Sequence, residues 1–558
     1  MQESARDVVF TIPELMALIA QYLSPRDTSQ WMMTCKAFSR QLEPLFWSHP
    51  VIMRTTRDPS SLVRHTHHFR SLIIEHDLWL SFIKDAPPSP LRTTSHGPSA
   101  LQGFPRLEKL TVHGHRPNVS LTSNFVPTLR QSPHLTDLSI QYPFRQDPLF
   151  MELIVASLAT ELPCLQRLLI EIERADPAIG FQLLDVCFRH LQLIDLRCDL
   201  VMCDDQSLPS GVYSPRFAAL LKTIQDMDKI KEEAGQPTGL RLRSLSLPFM
   251  DEGYPKDFLI PLLKWHVPNL ERLLIVDVHM PDGEGDIQWL KEAIAACPRL
   301  QHLSGNWLYW GNEYETTVDT VICSCAGAGL KSFRFECFSG DDTLIWNLLK
   351  YHANTLEDID FQACHGLTSE SIISIVTTCT NLRRLRVEPY DLNGWTTLGF
   401  GHVLTEWICR DITVLHLCLR REVVVPEGRT EDGVVAEAAQ RVYSQIGRLV
   451  KLEDLTLGCV EKYRSRGENS ASDLTLEHGW LAALAGLKRL RLFQMSTDFW
   501  SRMGQAEVEF MDANWPRLES VSFGFSNLKE QMLREDHWKW LKEKRPQLDF
   551  SSIIPTFS

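Results

Sequence analysis

Apolar positions recur along this chain in two alternating rhythms. One is a strand-like phrase, L-x-x-L-x-L with aliphatic or aromatic substitutes, and the other is a helical stripe that precedes it. The phrase stands at Leu107/Leu110/Val112, Leu135/Leu138/Ile140, Leu165/Leu168/Ile170, Leu191/Ile194/Leu196, Leu242/Leu245/Leu247 and Leu270/Leu273/Ile275. It continues at Leu330/Phe333/Phe335, Leu356/Ile359/Phe361, Leu382/Leu385/Val387, Ile412/Leu415/Leu417, Leu452/Leu455/Leu457, Leu487/Leu490/Leu492 and Leu518/Val521/Phe523. Weaker copies lie at Phe69/Leu72/Ile74 and Leu300/Leu303. That makes roughly fifteen copies, most of them about 26 to 30 residues apart.

The stretch 369–387 shows how one unit works. Ser369 to Val376 carries apolar residues at helical spacing, Thr380-Asn381 breaks the helix, and Leu382 to Val387 alternates as a strand. Proline stands just ahead of several strand phrases, at Pro105, Pro133, Pro163, Pro268, Pro298 and Pro516, where it ends the preceding helix. A phrase of this period is that of an α/β leucine-rich-repeat solenoid. The expected form is curved, with parallel strands on the concave face and helices on the convex one. Such a fold binds along an extended face rather than in a pocket.

Three stretches break the rhythm. The segment 85–100 is rich in Pro, Ser and Thr and predicts a loop or hinge, and the interval from Leu191 to Leu242 nearly doubles the spacing and holds an amphipathic run from Phe217 to Ile230. Polar inserts are expected near Arg421 to Gln440 and Lys462 to Ser472, and the run from Glu535 to Leu548 predicts a polar helix capping the last repeat. The domain division is then 8–50 for an N-terminal helical domain and 51–104 for a connecting segment with a first degenerate repeat. The repeat array covers 105–530 and the capping segment 531–558.

In the N-terminal domain, Thr11-Ile12-Pro13-Glu14 has capping-box spacing with Pro13 in the first turn. The helix that follows puts Ile12, Leu15, Ile19, Tyr22 and Leu23 on one stripe. Ser24-Pro25-Arg26-Asp27 starts a second helix bearing Trp31, Met32 and Cys35, and a third runs through Phe38, Leu42, Leu45 and Phe46 to Trp47. Three short helices cannot bury all this surface among themselves, so the excess docks on the repeats or on another protein.

Bulk properties narrow the classes. A hydrophobic share of 44% and a charged share of 23% are those of a folded chain. A net charge of -13 and a pI near 5.8 argue against a nucleic-acid or anionic-membrane partner. No run approaches the roughly 18 apolar residues of a membrane span, and MQESARDVVF lacks the pattern of a secretory signal. The 14 cysteines, among them Cys164, Cys187, Cys297 and Cys379, show no compact paired framework and are expected as reduced, buried thiols in the cytoplasm or nucleus.

Ile12-Pro13-Glu14-Leu15, Tyr22-Leu23-Ser24-Pro25-Arg26-Asp27 and Cys35-Lys36-Ala37-Phe38, closing at Trp47, resemble an F-box. Followed by repeats, the pattern is similar to that of fungal F-box proteins with leucine-rich repeats. Thr28 departs from it, standing where the family usually has leucine, and Trp31-Met32-Met33 is bulkier than usual. The resemblance implies a substrate-recognition subunit of a Skp–cullin–F-box ubiquitin ligase. The F-box would bind a Skp-type adaptor, and through it a cullin, through Ile12, Pro13, Leu15, Ile19, Leu23, Pro25 and Trp31. Packing within the three-helix core is the alternative role for these residues. A ligase-independent repeat scaffold and a GTPase regulator built on the same repeats are the competing functions.

Candidate chemistry is sparse. His65-Thr66-His67-His68 lacks metal-ligand partners at defined spacing, Cys323-Ser324-Cys325 is not a zinc pair, and Asp282 to Asp286 lacks calcium-loop spacing. Gly327-Ala328-Gly329 precedes a strand rather than following one, so it predicts a turn and not a phosphate loop. No catalytic residue, metal or cofactor is expected. The solvent-facing strand positions are more telling: Arg334, Arg384, Arg386, His416, Arg489 and Arg491 would suit an acidic or phosphorylated protein segment. The alternative is a mixed, solvated face, because Glu336, Asp358, Asp360 and Glu388 stand among them.

Overall fold

The computed structural model describes Gln30, Met32, Glu43, Trp47 and Ser48 of the N-terminal stretch, the strands with their flanking turns between 51 and 306, and most of 322–550. The chain divides into two compact units, one within residues 1–270 and the other essentially 271–558. In the first unit, β1 (Val51–Ile52), β2 (Ser71–Glu75), β3 (Lys109–His113) and β4 (Asp137–Tyr142) pair in sequence order, all parallel. β5 (Arg167–Ala175), β6 (Asp195–Met202) and β7 (Ser244–Leu247) continue the series.

The second unit repeats the scheme. β8 (Arg272–Ile275), β9 (His302–Asn306), β10 (Ser332–Glu336), β11 (Asp358–Cys364) and β12 (Arg384–Pro389) pair in order, again parallel. β14 (Val414–Arg420) pairs with β12 and with the short β13 (Leu398–Gly399), and β15 (Asp454–Cys459), β16 (Leu492–Met495) and β17 (Ser520–Phe523) follow. Its helices are α1 (Asp342–His352), α2 (Ser369–Thr378), α3 (Glu431–Gly447), α4 (Trp480–Ala483), α5 (Gln505–Asn514) and α6 (Asp536–Lys544).

One backbone device sets the register. The residue after the first phrase leucine offers its carbonyl to two N–H groups of the next repeat. Lys331 and Ser332 both donate to the Gln301 carbonyl, at 2.7 and 3.0 Å, and Glu357 and Asp358 donate in turn to Lys331, at 2.8 and 3.0 Å. The chain of acceptors runs on through Glu357, Arg383, Thr413, Glu453 and Arg491. With register fixed, the phrase leucines stack: Leu382, Leu385 and Val387 are buried, as are Leu452, Leu455 and Leu457. Successive side chains in a strand point to opposite faces, so the residues between them form a second, more polar face.

Two phrases slip relative to expectation. Near β6 Leu193 and Leu196 are buried and Ile194 is half-buried, Cys198 pairs with Ile170, and Leu191 lies outside the described residues. Near β16 it is Leu490/Phe493/Met495, while Leu492 is 39% exposed and pairs with Asp454. A slip of one residue would turn every side chain to the wrong face, and the larger Phe493 and Met495 fix the phase by burial. The weak copy at Leu300/Leu303 ends in Gly305, which lies opposite Phe335 in the register.

The second half of the expected polar insert near Arg421 to Gln440 is helical. α3 starts there, with the Thr430 side chain accepting from Gly433 N, and buries Val435, Ala438, Ala439, Val442, Tyr443 and Ile446. β1 and β13 were not anticipated. α2 and the turn at Gly329, whose φ is 75°, stand where the sequence predicts them. The three-helix trio apart from Gln30, Met32, Glu43, Trp47 and Ser48, the 85–100 loop, the run from Phe217 to Ile230 apart from Lys222, and the insert at 462–472 lie outside the described residues. Among the described residues no helix is long and apolar enough to cross a membrane.

Candidate functional site

The polar strand face of the second unit is built from two registered rows. One row runs Arg272, His302, Ser332, Asp358, Arg384, Val414, Asp454, Leu492 and Ser520, and the other Leu274, Ser304, Arg334, Asp360, Arg386, His416, Thr456, Gln494 and Ser522. The structure therefore brings Arg334, Arg384, Arg386 and His416 together on β10 to β14. Arg489 and Arg491 are not part of that set. The phase of β16 leaves Arg489 in the preceding turn and Arg491 just ahead of the strand. Ile12, Pro13, Leu15, Ile19, Leu23, Pro25 and Trp31 lie outside the described residues.

Acids interleave with the bases across neighbouring strands. Arg334 donates to Asp358 through Nε at 3.1 Å and through Nη2, and Arg386 Nη1 lies 3.6 Å from Asp360 Oδ2. His416 Nε2 is 3.2 Å from Asp454 Oδ2, and Arg383 is 3.8 Å from Glu357. Arg491 makes a two-pronged contact with Glu519 at 2.9 and 2.7 Å, and its hydrogen bonds hold the Glu519 carboxyl below its ordinary pKa. Most of these pairs are partly exposed, so each contributes little stability on its own. Their effect is to cancel charge locally, which makes this stretch a mixed face rather than a row of free guanidinium groups.

Two features of this unit escape a reading taken one phrase at a time. The first is a basic group at its start, where Arg272 of β8, His302 of β9, Lys331 just ahead of β10 and Arg334 of β10 come from three successive repeats. Burial, then Arg272 and Lys331, lower the His302 pKa, with Arg334 acting the same way and Asp358 opposing. The signal lies in comparing equivalent positions across repeats. The second is a set of buried thiols between the strands. Burial pushes Cys297, Cys325, Cys379 and Cys409 up to about 12 each, so they stay protonated and unreactive. Cys164, expected inside, is exposed. Among the described residues no group of three or more His, Cys, Asp or Glu is placed to hold a metal ion.

The repeated core phrase, the parallel register and the helices between strands define a leucine-rich-repeat protein. No family model matches the chain, and no curated protein matches it. Among solved structures, it is similar to the Rad7 and Elc1 complex in yeast at 13% identity and a TM-score of 0.35, over 99% of this chain and 98% of that one. It is also similar to the leucine-rich repeat-containing protein LegL7 from Legionella pneumophila, at 12% identity and a TM-score of 0.29, over 54% and 88%. The TLR13–ssRNA13 complex gives 13% identity and a TM-score of 0.33, over 84% and 54%. These are distant likenesses, and the fold rests on the register and core described above.

Proposed function

We propose that the chain is the substrate-recognition subunit of a Skp–cullin–F-box ubiquitin ligase. In this reading residues 8–50 bind the Skp-type adaptor, which links to a cullin, and the repeats hold a protein substrate. The observation that carries it is the order of F-box-like elements, Ile12-Pro13-Glu14-Leu15 through Trp47, placed directly ahead of a repeat array. The array suits the second half of the role, because neighbouring repeats stack a continuous polar face over a fixed core, and that face can vary without disturbing the core. The chain then works by holding two proteins together in the cytoplasm or nucleus, with no catalytic group or cofactor of its own. The second reading, a repeat scaffold working without the ligase, uses the same face and gives the N-terminal helices no adaptor.

A pull-down with a purified Skp-type adaptor separates the two. The full chain should retain the adaptor, and a chain lacking residues 1–50 should not. Truncating anchor residues at an interface typically costs on the order of 2 kcal/mol or more, about thirtyfold in affinity. Leu15→Ala combined with Leu23→Ala should weaken capture by at least that factor while circular dichroism shows the helices retained. Failure of the full chain to retain the adaptor would leave the scaffold reading in its place.

A further inference from the structure

Opposite charges alternate from strand to strand over much of the polar face. In the first unit Lys109, Asp137, Arg167 and Asp195 occupy one registered row, and Asp137 lies 3.7 Å from Lys109 and 3.5 Å from Arg167. In the second unit Arg334 is taken up by Asp358, Arg386 lies beside Asp360, and Arg383 beside Glu357. Opposite charges directly across a strand pair stabilise it and like charges destabilise it, so the alternation follows from the fold itself. Charge cancelled in this way is poorly available to a partner. A place where the alternation fails is therefore more informative than any single arginine.

It fails at β8 to β10. Arg272 is followed in its row by His302 and Ser332, with Lys331 just before Ser332 and Arg334 two residues after it. Of the charged groups that act on the His302 ring, Arg272, Lys331 and Arg334 are positive, and the one acid, Asp358, already accepts from Arg334. Glu271 stands immediately ahead of β8, one position before Arg272. Arg272 is exposed, and His302 and Lys331 are half-buried, so their polar ends reach solvent over apolar stems. This cationic group occurs in a chain whose net charge is -13, so it does not reflect overall composition.

We propose that Arg272, His302 and Lys331 form an anion site that takes the phosphoryl group of a phosphorylated protein segment lying across β8, β9 and β10. Arg272 and His302 are register partners, and Lys331 stands one residue before Ser332, the partner of His302 on β10, so three neighbouring repeats each place one donor here, which suits a tetrahedral group with three acceptor oxygens better than a planar carboxylate with two. The inference rests on the repeat half of the proposed function, that this face holds a protein segment. It does not depend on the adaptor.

The test is fluorescence anisotropy with the full chain and three short labelled peptides of one Gly/Ser sequence. One carries a single phosphoserine, one a glutamate at that position, and one neither. The phosphoserine peptide should bind more tightly than the glutamate peptide. Arg272→Gln with Lys331→Gln should weaken it about tenfold or more, the size expected for lost charge-assisted hydrogen bonds. Arg167→Gln, which removes a base already paired with Asp137, should leave that binding unchanged. Equal binding of the phosphoserine and glutamate peptides, no binding of the phosphoserine peptide, or an unaltered affinity in the double variant would each overturn the site. Adaptor capture measured on the same double variant should match that of the parent chain. A failed adaptor reading is thereby told apart from a failed anion site.

Discussion

His352 joins two repeats through its ring. The Leu330 N–H donates to Nδ1 at 3.1 Å, and Nε2 donates to the Ile322 carbonyl at 2.9 Å, with the side chain almost fully buried. One nitrogen must accept and the other donate, so the ring is neutral. Burial lowers its pKa from the ordinary 6.5, and the bond to Ile322 opposes that only in part. Because the folded value lies below the unfolded one, the unfolded chain takes up the proton more readily. The contribution to stability is therefore complete above about pH 6.5 and is lost as the pH falls. His352→Phe leaves the buried Leu330 N–H without a partner, while the Ile322 carbonyl keeps the Cys325 N–H at 3.2 Å, and should cost about 1–3 kcal/mol by urea unfolding at pH 8. The gap between variant and parent should narrow toward pH 5, and a gap independent of pH would refute this account. The sequence shows a histidine ending a helix, but its two partners sit 22 and 30 residues back, beyond the reach of any local pattern.

At the scale of elements, the strand phrases were legible because each requires buried residues at a fixed period, and tertiary packing preserves it. The slips occurred where two phases look alike. Leu487-Lys488-Arg489-Leu490-Arg491-Leu492 satisfies the phrase by itself, and Phe493 and Met495 decide otherwise only because the neighbouring strand buries Leu455 and Leu457 beside them. α3 was hidden for a different reason. Its buried stripe depends on small residues, Ala438 and Ala439, among Glu431, Asp432, Glu437, Gln440 and Arg441, so polarity dominated the pattern. The end of this helix also meets the next repeat closely. A Cβ on Gly447 would lie 1.9 Å from the Ala483 carbonyl oxygen, and one on Gly486 would lie 2.9 Å from the Gly447 carbonyl oxygen. Neither contact is with a flexible side chain, so backbone would have to move. Gly447→Ala should therefore destabilise the second unit by about 3 kcal/mol, the upper end of ordinary overpacking, despite alanine's better helix propensity. A variant as stable as the parent in urea would show that these turns can separate freely.

At the scale of the molecule, repetition leaves an open end that needs covering, and the C-terminal segment supplies the cover. α6 buries Trp538 and Leu541, and the chain after it buries Leu548 and Phe550. Asp549 then extends the register ladder, donating to the Glu519 carbonyl at 2.8 Å and accepting from Val521 N at 2.9 Å. Arg545 ties this segment to the repeat before it, with Nε 2.7 Å from Asp512 and Nη1 2.9 Å from the Trp515 carbonyl. Burial alone would raise the Asp512 pKa, but hydrogen bonds from Lys544 and Arg545 outweigh it and lower the value. The sequence showed a polar, Trp-bearing helix suited to an end, whereas the extra rung at Asp549 followed from no visible phrase. If this segment closes the core, truncating its most buried side chain should loosen the last repeats. Trp538→Ala should cost about 3–5 kcal/mol, as large core truncations do. Hydrogen exchange should speed first at Val521 and Asp549, whose backbone bonds join α6's repeat to β17, while amides of β10 and β11 keep their protection. Equal protection at Val521 and Asp549 in variant and parent would mean that the array ends at β17 and that α6 only rests against it.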